Sequence, residues 1–230
     1  MKKLLITFCL MLPVMALYAR GIQEDINLSE EKARTSYALG FVLGPDLRGL
    51  ELDYNAFVRG LQAGIEETDS ELSENEAMEL VQIALQKAAE KRNEENRAKE
   101  ADFFTENSAR PGVRTTLSGL QYEVLVEGDG EKPAADSVVR VHYEGSLVDG
   151  TVFDSSYARG ESAEIPLDMV IPGWTEGIQL MSVGSKYRFY IPSGLAYGPQ
   201  GAGPIPPYSP LIFTVELLEM VNSENSEYED

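Results

Sequence analysis

Val139-Arg140-Val141-His142-Tyr143-Glu144-Gly145-Ser146-Leu147 alternates apolar and polar residues with a period of two, with a break only at Gly145. In an extended strand, Val139, Val141, Tyr143 and Leu147 share one face; Arg140, His142, Glu144 and Ser146 share the other. Asp149-Gly150 follows, between Val148 and Thr151, and marks a hairpin. Leu120, Tyr122, Val124 and Val126 alternate in the same way with Gln121, Glu123 and Glu127. So do Tyr187, Phe189 and Ile191 with Lys186, Arg188 and Tyr190, and Leu211, Phe213, Val215 and Leu217 with Thr214 and Glu216. These are predicted to be half-buried antiparallel strands with one wet face. One short helix interrupts them, with Trp174, Ile178 and Met181 on one side. The C-terminal part therefore reads as α+β, a sheet covered by a single helix.

Upstream the period becomes helical. Ser29 is placed to cap a helix over Glu30 and Glu31, and Ala33, Tyr37, Gly40, Phe41 and Gly44 recur at three- and four-residue steps. Asp53 is placed to cap a second helix with Ala56, Phe57, Gly60, Leu61, Gly64 and Ile65 on its stripe. Two short helices bury little alone, so residues 20–72 are expected to form a dimerisation domain, the alternative being a helical pair packed on its own chain. Ser73-Glu74-Asn75-Glu76 is a capping box that opens a third helix. Ala77, Val81, Ala84, Leu85 and Ala88 line one face, but from Ala89 to Glu100 the only apolar residues are alanines. A helix over 73–108 spans roughly 54 Å at 1.5 Å per residue. Residues 73–112 therefore read as a long, solvated spacer helix ended by Pro111-Gly112, the alternatives being a helix folded back on a neighbour or partial disorder.

The ends differ in texture. Met1-Lys2-Lys3 and the apolar run Leu4 to Leu17 read as a signal peptide over 1–19, with Ala16 and Ala19 as alternative cleavage positions. Such a segment is shorter than the ~20 residues of a transmembrane helix, so the mature form is expected to have no transmembrane segment and to be exported, to the periplasm or the outer cell surface. The only cysteine, Cys9, would leave with it. Residues 221–230 carry four acids and read as a disordered acidic tail.

Composition removes much chemistry. A net charge of −19 argues against nucleic acid as a partner, because phosphate binding needs clustered Lys and Arg. A single cysteine excludes an internal disulfide, and a single histidine excludes His-rich metal sites; no cofactor or metal is expected. His142 lies on the polar phase of its strand, away from Tyr143, and reads as a structural histidine rather than a triad member. Spacing alone leaves paired carboxylates open. The unusual density is of aromatics on the inward phase: Tyr143, Phe153, Trp174, Tyr197 and Phe213 come from different elements of one small domain. The 18 residues from Ser193 to Pro210 contain four Gly and five Pro, a constrained loop of a kind that often carries function. On periodicity alone these aromatics are ordinary core.

A resemblance goes further. Val141-His142-Tyr143-Glu144-Gly145, Gly150-Thr151-Val152-Phe153-Asp154-Ser155-Ser156 and Val170-Ile171-Pro172-Gly173-Trp174-Thr175-Glu176-Gly177 are motifs of one family. Ile191-Pro192, Leu195-Ala196-Tyr197-Gly198, Ile205-Pro206-Pro207 and Phe213-Thr214-Val215-Glu216-Leu217-Leu218 follow in the same order. Together they make residues 113–220 resemble the FKBP-type peptidyl-prolyl cis-trans isomerases. Leu28-Ser29, Ser36-Tyr37-Ala38-Leu39-Gly40, Phe57-Val58-Arg59-Gly60-Leu61 and the stretch from Asn107 to Val113 are similar to the exported, dimeric branch that includes the macrophage infectivity potentiator proteins. The resemblance implies a five- or six-stranded antiparallel sheet curled around one short helix, preceded by an all-α dimerisation domain. It implies Tyr143, Asp154, Trp174 and Tyr197 as catalytic residues, with Trp174 as the floor under a substrate proline. Phe153, Val170, Ile171, Ile205 and Phe213 would bind substrate, the Ile171 N–H holding a carbonyl. Implied partners are unfolded or proline-containing polypeptides, macrolide-type inhibitors of the family, and a second copy of the chain through 20–72.

Two departures stand out. The wall strand Ala163-Glu164-Ile165-Pro166-Leu167 offers Ile165 where the family often has an aromatic, and the loop Gly198–Pro207 is about one residue short and carries the extra Pro199 and Pro204. Both bear on inhibitor affinity and sequence preference. The expected function is isomerisation of X-Pro bonds in folding exported proteins, with chaperone activity. The alternative is a non-catalytic binder of unfolded or Pro-rich segments.

Overall fold

The computed structural model describes residues 27–66, 68 and 70–221. The expected signal peptide and all of the acidic tail but Val221 lie outside them. The chain divides between Leu52 and Asp53 into two compact units.

The first unit holds α1 (Glu31–Leu43) and a 3-10 turn at Gly44–Leu47. Ser29 is not the cap that its position suggested. The helix opens one residue later on Glu30, and the Ser29 N–H and hydroxyl instead donate to Asn27 Oδ1 at 3.1 and 2.6 Å. An asparagine two residues upstream captures the serine in a local turn, and that competes with capping.

The second unit begins with α2 (Tyr54–Glu66) and α3 (Glu74–Ser108). Their caps follow the sequence. Asp53 Oδ1 accepts from the N–H groups of Asn55 and Ala56 at 2.9 and 3.0 Å, and Ser73 Oγ accepts from Glu76 N–H at 3.3 Å. Each satisfies N–H groups that have no partner within the helix.

Seven strands follow: β1 (Arg114–Thr115), β2 (Gln121–Val126), β3 (Val138–Leu147), β4 (Val152–Ser155), β5 (Ala163–Pro166), β6 (Lys186–Ile191) and β7 (Leu211–Val221). All pair antiparallel, in the order β1-β2-β6-β7-β3-β4, with β5 also paired to β3. The two-residue β1 and the split edge of β4 and β5 raise the count above the five or six expected. Two helices lie between the strands: the single turn α4 (Ser156–Arg159), which periodicity cannot register, and α5 (Pro172–Leu180). The sheet curls over α5. Val139, Val141, Ile178, Met181, Phe189, Ile191, Leu211, Val215 and Leu217 are fully buried between them. Each large side chain so buried contributes about 1.5–3 kcal/mol. Gly177 of α5 lets the helix approach, since a Cβ there would stand 2.8 Å from the Phe189 ring.

Three expectations are corrected. Val126 is 52% exposed, because the β2–β6 register shifts after Val124 and turns the strand end outward. Tyr190, on the polar phase of β6, is buried. α3 is not solvated all round: most of its second half is exposed, but its last turns lay one side on the outer face of the sheet. Phe103 packs 6.1 Å from the Tyr190 ring, and Asn107, 2% exposed, donates to Gln121 Oε1 at 2.8 Å. The Gln121 amide returns a bond to the Phe104 carbonyl at 2.9 Å, and Arg110 bonds both Tyr190 and Glu123 at 3.0 Å. No helix among the described residues is long and apolar enough to cross a membrane.

Candidate active site

Pro172 sets the first turn of α5, which places Trp174 at the helix start, against the sheet. Trp174 is 4% exposed, and its ring meets Tyr143 of β3 and Phe213 of β7 edge-on, each at 5.1 Å. Phe153 of β4 packs edge-on against Phe213 at 5.5 Å. Such contacts align ring edges with ring faces and fix orientation. The indole N–H is buried without an acceptor among the described residues. The ring cluster is thus apolar but for this one donor, whose unmet bond costs about 1–3 kcal/mol.

Val170 and Ile171, just before α5, pack against the hydrophobic core that contains these rings, and Ile205, buried in its loop, belongs to that core. Tyr197 is placed apart. It is 40% exposed, between a 3-10 turn at Ser193–Leu195 and the left-handed Gly198. Ile165 of β5 packs on the core opposite Val139, at the strand where the expected aromatic is missing. A shallow hollow of about 560 Å³ along α5 shares only Val170 with these residues.

The polar edge is a closed triangle. Tyr143 Oη donates to Asp154 Oδ2 at 2.6 Å; Arg159 bonds Asp154 Oδ1 and donates to Tyr143 Oη at 2.9 Å. Burial resists ionisation of Asp154, yet the bonds from Tyr143 and Arg159 outweigh it and hold the carboxyl below the ordinary aspartate range. Burial, reinforced by Asp154, pushes the Tyr143 phenol up, although Arg159 pulls the other way. At neutral pH the site therefore holds a carboxylate, a neutral phenol and a guanidinium.

Arg159 and Ser156 are the site residues that sequence reasoning missed. Arg159 ends α4, whose turn is capped by Ser155 Oγ on Ala158 N–H at 3.3 Å and stopped by Gly160 at φ +80°. The fully buried Ser156 hydroxyl accepts from Tyr143 N–H at 2.8 Å and donates to the Tyr143 carbonyl at 3.2 Å, pinning that residue's backbone. The hairpin and the Gly160 stop were available as signals; the one-turn helix between them was not. His142 lies on the other face of β3 from the rings, stacked on Tyr157 at 4.7 Å, with its Nδ1 3.1 Å from Ser156 Oγ.

Residues 129–218 match the family model described as FKBP-type peptidyl-prolyl cis-trans isomerase, and residues 32–124 match the domain amino terminal to it. A probable FKBP-type peptidyl-prolyl cis-trans isomerase FkpA of Neisseria meningitidis is 43% identical over 206 residues, which is 84% of this chain and 76% of that one. The chain belongs to the FKBP-type peptidyl-prolyl cis-trans isomerases. The outer membrane protein MIP of Legionella longbeachae is 35% identical over 230 residues, 96% of this isomerase and 98% of that protein. The crystal structure of FkpA from Escherichia coli superposes with a TM-score of 0.64 at 37% identity, covering 83% of this isomerase and 97% of that chain. The enzyme's reaction is rotation about the X-Pro peptide bond. Among the described residues no group of His, Cys, Asp and Glu is placed to hold a metal ion.

Proposed function

We propose that the isomerase binds the substrate proline over Trp174, with Tyr143, Phe153, Val170, Ile171, Ile205 and Phe213 around it. Asp154 lies beside the twisting amide, while the Tyr197 hydroxyl and the Ile171 N–H each hold a substrate carbonyl. The observation that carries this reading is the Trp174 cluster, apolar and ring-lined, directly against the Tyr143–Asp154–Arg159 triangle. The Ile171 N–H precedes the first turn of α5, where backbone donors have no intrahelical partner.

The chemistry follows from the amide. Planar resonance sets a barrier of roughly 18–20 kcal/mol, and the twisted state loses that resonance. Its carbon–nitrogen dipole shrinks, so a dry apolar floor favours the twisted form over the planar one. Fixed hydrogen bonds hold the displaced carbonyl, and their gain is largest in the transition state. No bond is made or broken, so no nucleophile or proton relay is needed. The uncatalysed step takes tens to hundreds of seconds, slow enough to limit folding.

The wider setting we infer is an exported folding helper, in the periplasm or at the outer cell surface, that works as a homodimer through residues 20–72 and has chaperone activity. The N-terminal run favours export, as does the likeness to a relative called an outer membrane protein. α1 and α2 bury no residue within the chain, and Phe41, Val42, Phe57 and Leu61 are exposed, which favours a second copy. Proline-limited refolding of a client tests the site. Trp174→Ala and Tyr197→Phe each slow the acceleration; full activity in both refutes the assignment. Cell fractionation tests the location.

A further inference from the structure

The last turns of α3 grip the loop that carries Tyr197 and Ile205 at both of its roots. At the first root, the Glu100 carboxylate accepts from Ser193 N–H at 2.5 Å and from Ser193 Oγ at 2.9 Å. The Ser193 carbonyl accepts in turn from the N–H groups of Ala196 and Gly198, both at 2.9 Å. Those are the two neighbours of Tyr197. At the second root, Asn96 Nδ2 donates to the Pro207 carbonyl at 2.9 Å. Arg97 bonds the Tyr208 hydroxyl and lies 4.2 Å over its ring.

Tyr208 has φ +56°, a left-handed conformation that a bulky side chain rarely adopts. Its N–H donates to the Gly198 carbonyl at 2.9 Å and ties the second root to the first. The helix-side grip thus sits where the backbone is held away from its preferred region, and such residues persist only when their surroundings over-determine them. The helix itself is fixed about two to three turns further on by buried Asn107 on Gln121, and just past its end by Arg110 on Tyr190. The loop is therefore referenced to α3 as well as to the sheet.

The geometry points to a positioning role: Asn96, Arg97 and Glu100 of α3 set the stance of the 193–208 loop, so turnover and the preference for the residue before proline depend on the helix. This rests on the Trp174-centred pocket proposed above. A helix that merely fastens itself to the domain would move only the unfolding midpoint when these bonds are cut. A positioning helix moves the kinetics.

The test is Glu100→Ala and Glu100→Gln in the full chain, with kcat/KM measured on Xaa-Pro peptides that differ in Xaa, alongside thermal unfolding. Gln keeps one acceptor oxygen for the Ser193 N–H and loses the charge. The expected order is wild type above Gln above Ala, with a fall of about three- to tenfold in Ala and altered ratios among the peptides, because loose positioning acts on the reacting geometry. Wild-type kcat/KM and wild-type ratios in both variants overturn the proposal, whatever the unfolding midpoint does. Should Ala fail to fold, Gln against wild type decides, a fall of twofold or more supporting the role and no change overturning it. Trp174→Ala runs in parallel. Its loss of activity beside unaffected Glu100 variants removes the helix's role and leaves the pocket; its full activity removes the pocket assignment itself.

Discussion

Gly145 has no side chain because two rings occupy the space that a Cβ would need. A Cβ there would stand 2.5 Å from Phe213 Cε1 and 2.8 Å from the Phe153 ring. Gly145→Ala is therefore expected to displace both walls, cost about 1–3 kcal/mol of stability as overpacking does, and lower kcat/KM by more than the stability loss accounts for. Denaturant titration beside the peptide assay measures the two effects. With Asp154 beside the twisting amide, as proposed, it would set the acid limit of the same site. Its folded pKa is depressed, so its contribution is present above the ordinary aspartate value and is lost as pH falls through the folded one. Tyr143, raised, stays neutral until pH climbs past its ordinary value of about 10. The rate should then be flat through neutrality and fall only once pH drops below the ordinary aspartate range. Asp154→Asn should lower the plateau and remove the acid limb. A transition centred near neutrality in the kcat/KM profile would count against this site.

Among the elements, α3 separates what a sequence states from what it withholds. The strands were legible because one face is dry and one wet, so that period two survives in Val139, Val141 and Tyr143. Tyr190 was misread for the same reason: alternation assigns an outer residue to water and has no sign for a helix that covers it. Asn96, Arg97 and Glu100 look like a solvated stretch, because a polar residue has the same character whether it faces water or a loop's backbone. Arg159 was illegible too, since α4 is too short to show a period. The aromatic cluster was legible as positions on a face, and its proposed use as a pocket only through resemblance. The covered stretch of α3 makes its own prediction. Asn107→Ala leaves the buried Gln121 amide oxygen unpaired, and denaturation should show a loss of about 1–3 kcal/mol. Gln86→Ala, on the exposed half of the same helix, should stay within about 0.5 kcal/mol.

At the scale of the whole molecule, the apolar surface is unevenly shared. In the isomerase domain most of the large apolar residues close on α5, although Leu117 and Met169 stay exposed. Along the N-terminal helices they face outward: Phe41 is 72% exposed and Ile65 is 73% exposed. Scattered apolar residues need no explanation, but the exposed ones on α1 in the first unit, and separately those on α2 and the start of α3 in the second, are the proposed contacts for a partner. The proposed occupant is a second copy, which would hold two pockets on one scaffold and raise the effective concentration of the second on a client already bound to the first. Phe57→Asp with Leu61→Asp in the full chain places two charges on that surface. Light scattering should report twice the chain mass for the wild type and the single chain mass for the variant. Turnover of a short peptide, which engages one pocket at a time, should be unchanged per chain. Acceleration of a refolding protein should fall, because avidity is lost while each pocket is intact. A wild type that scatters as a monomer at micromolar concentration sinks the dimer. A variant that scatters as a dimer moves the interface away from α2.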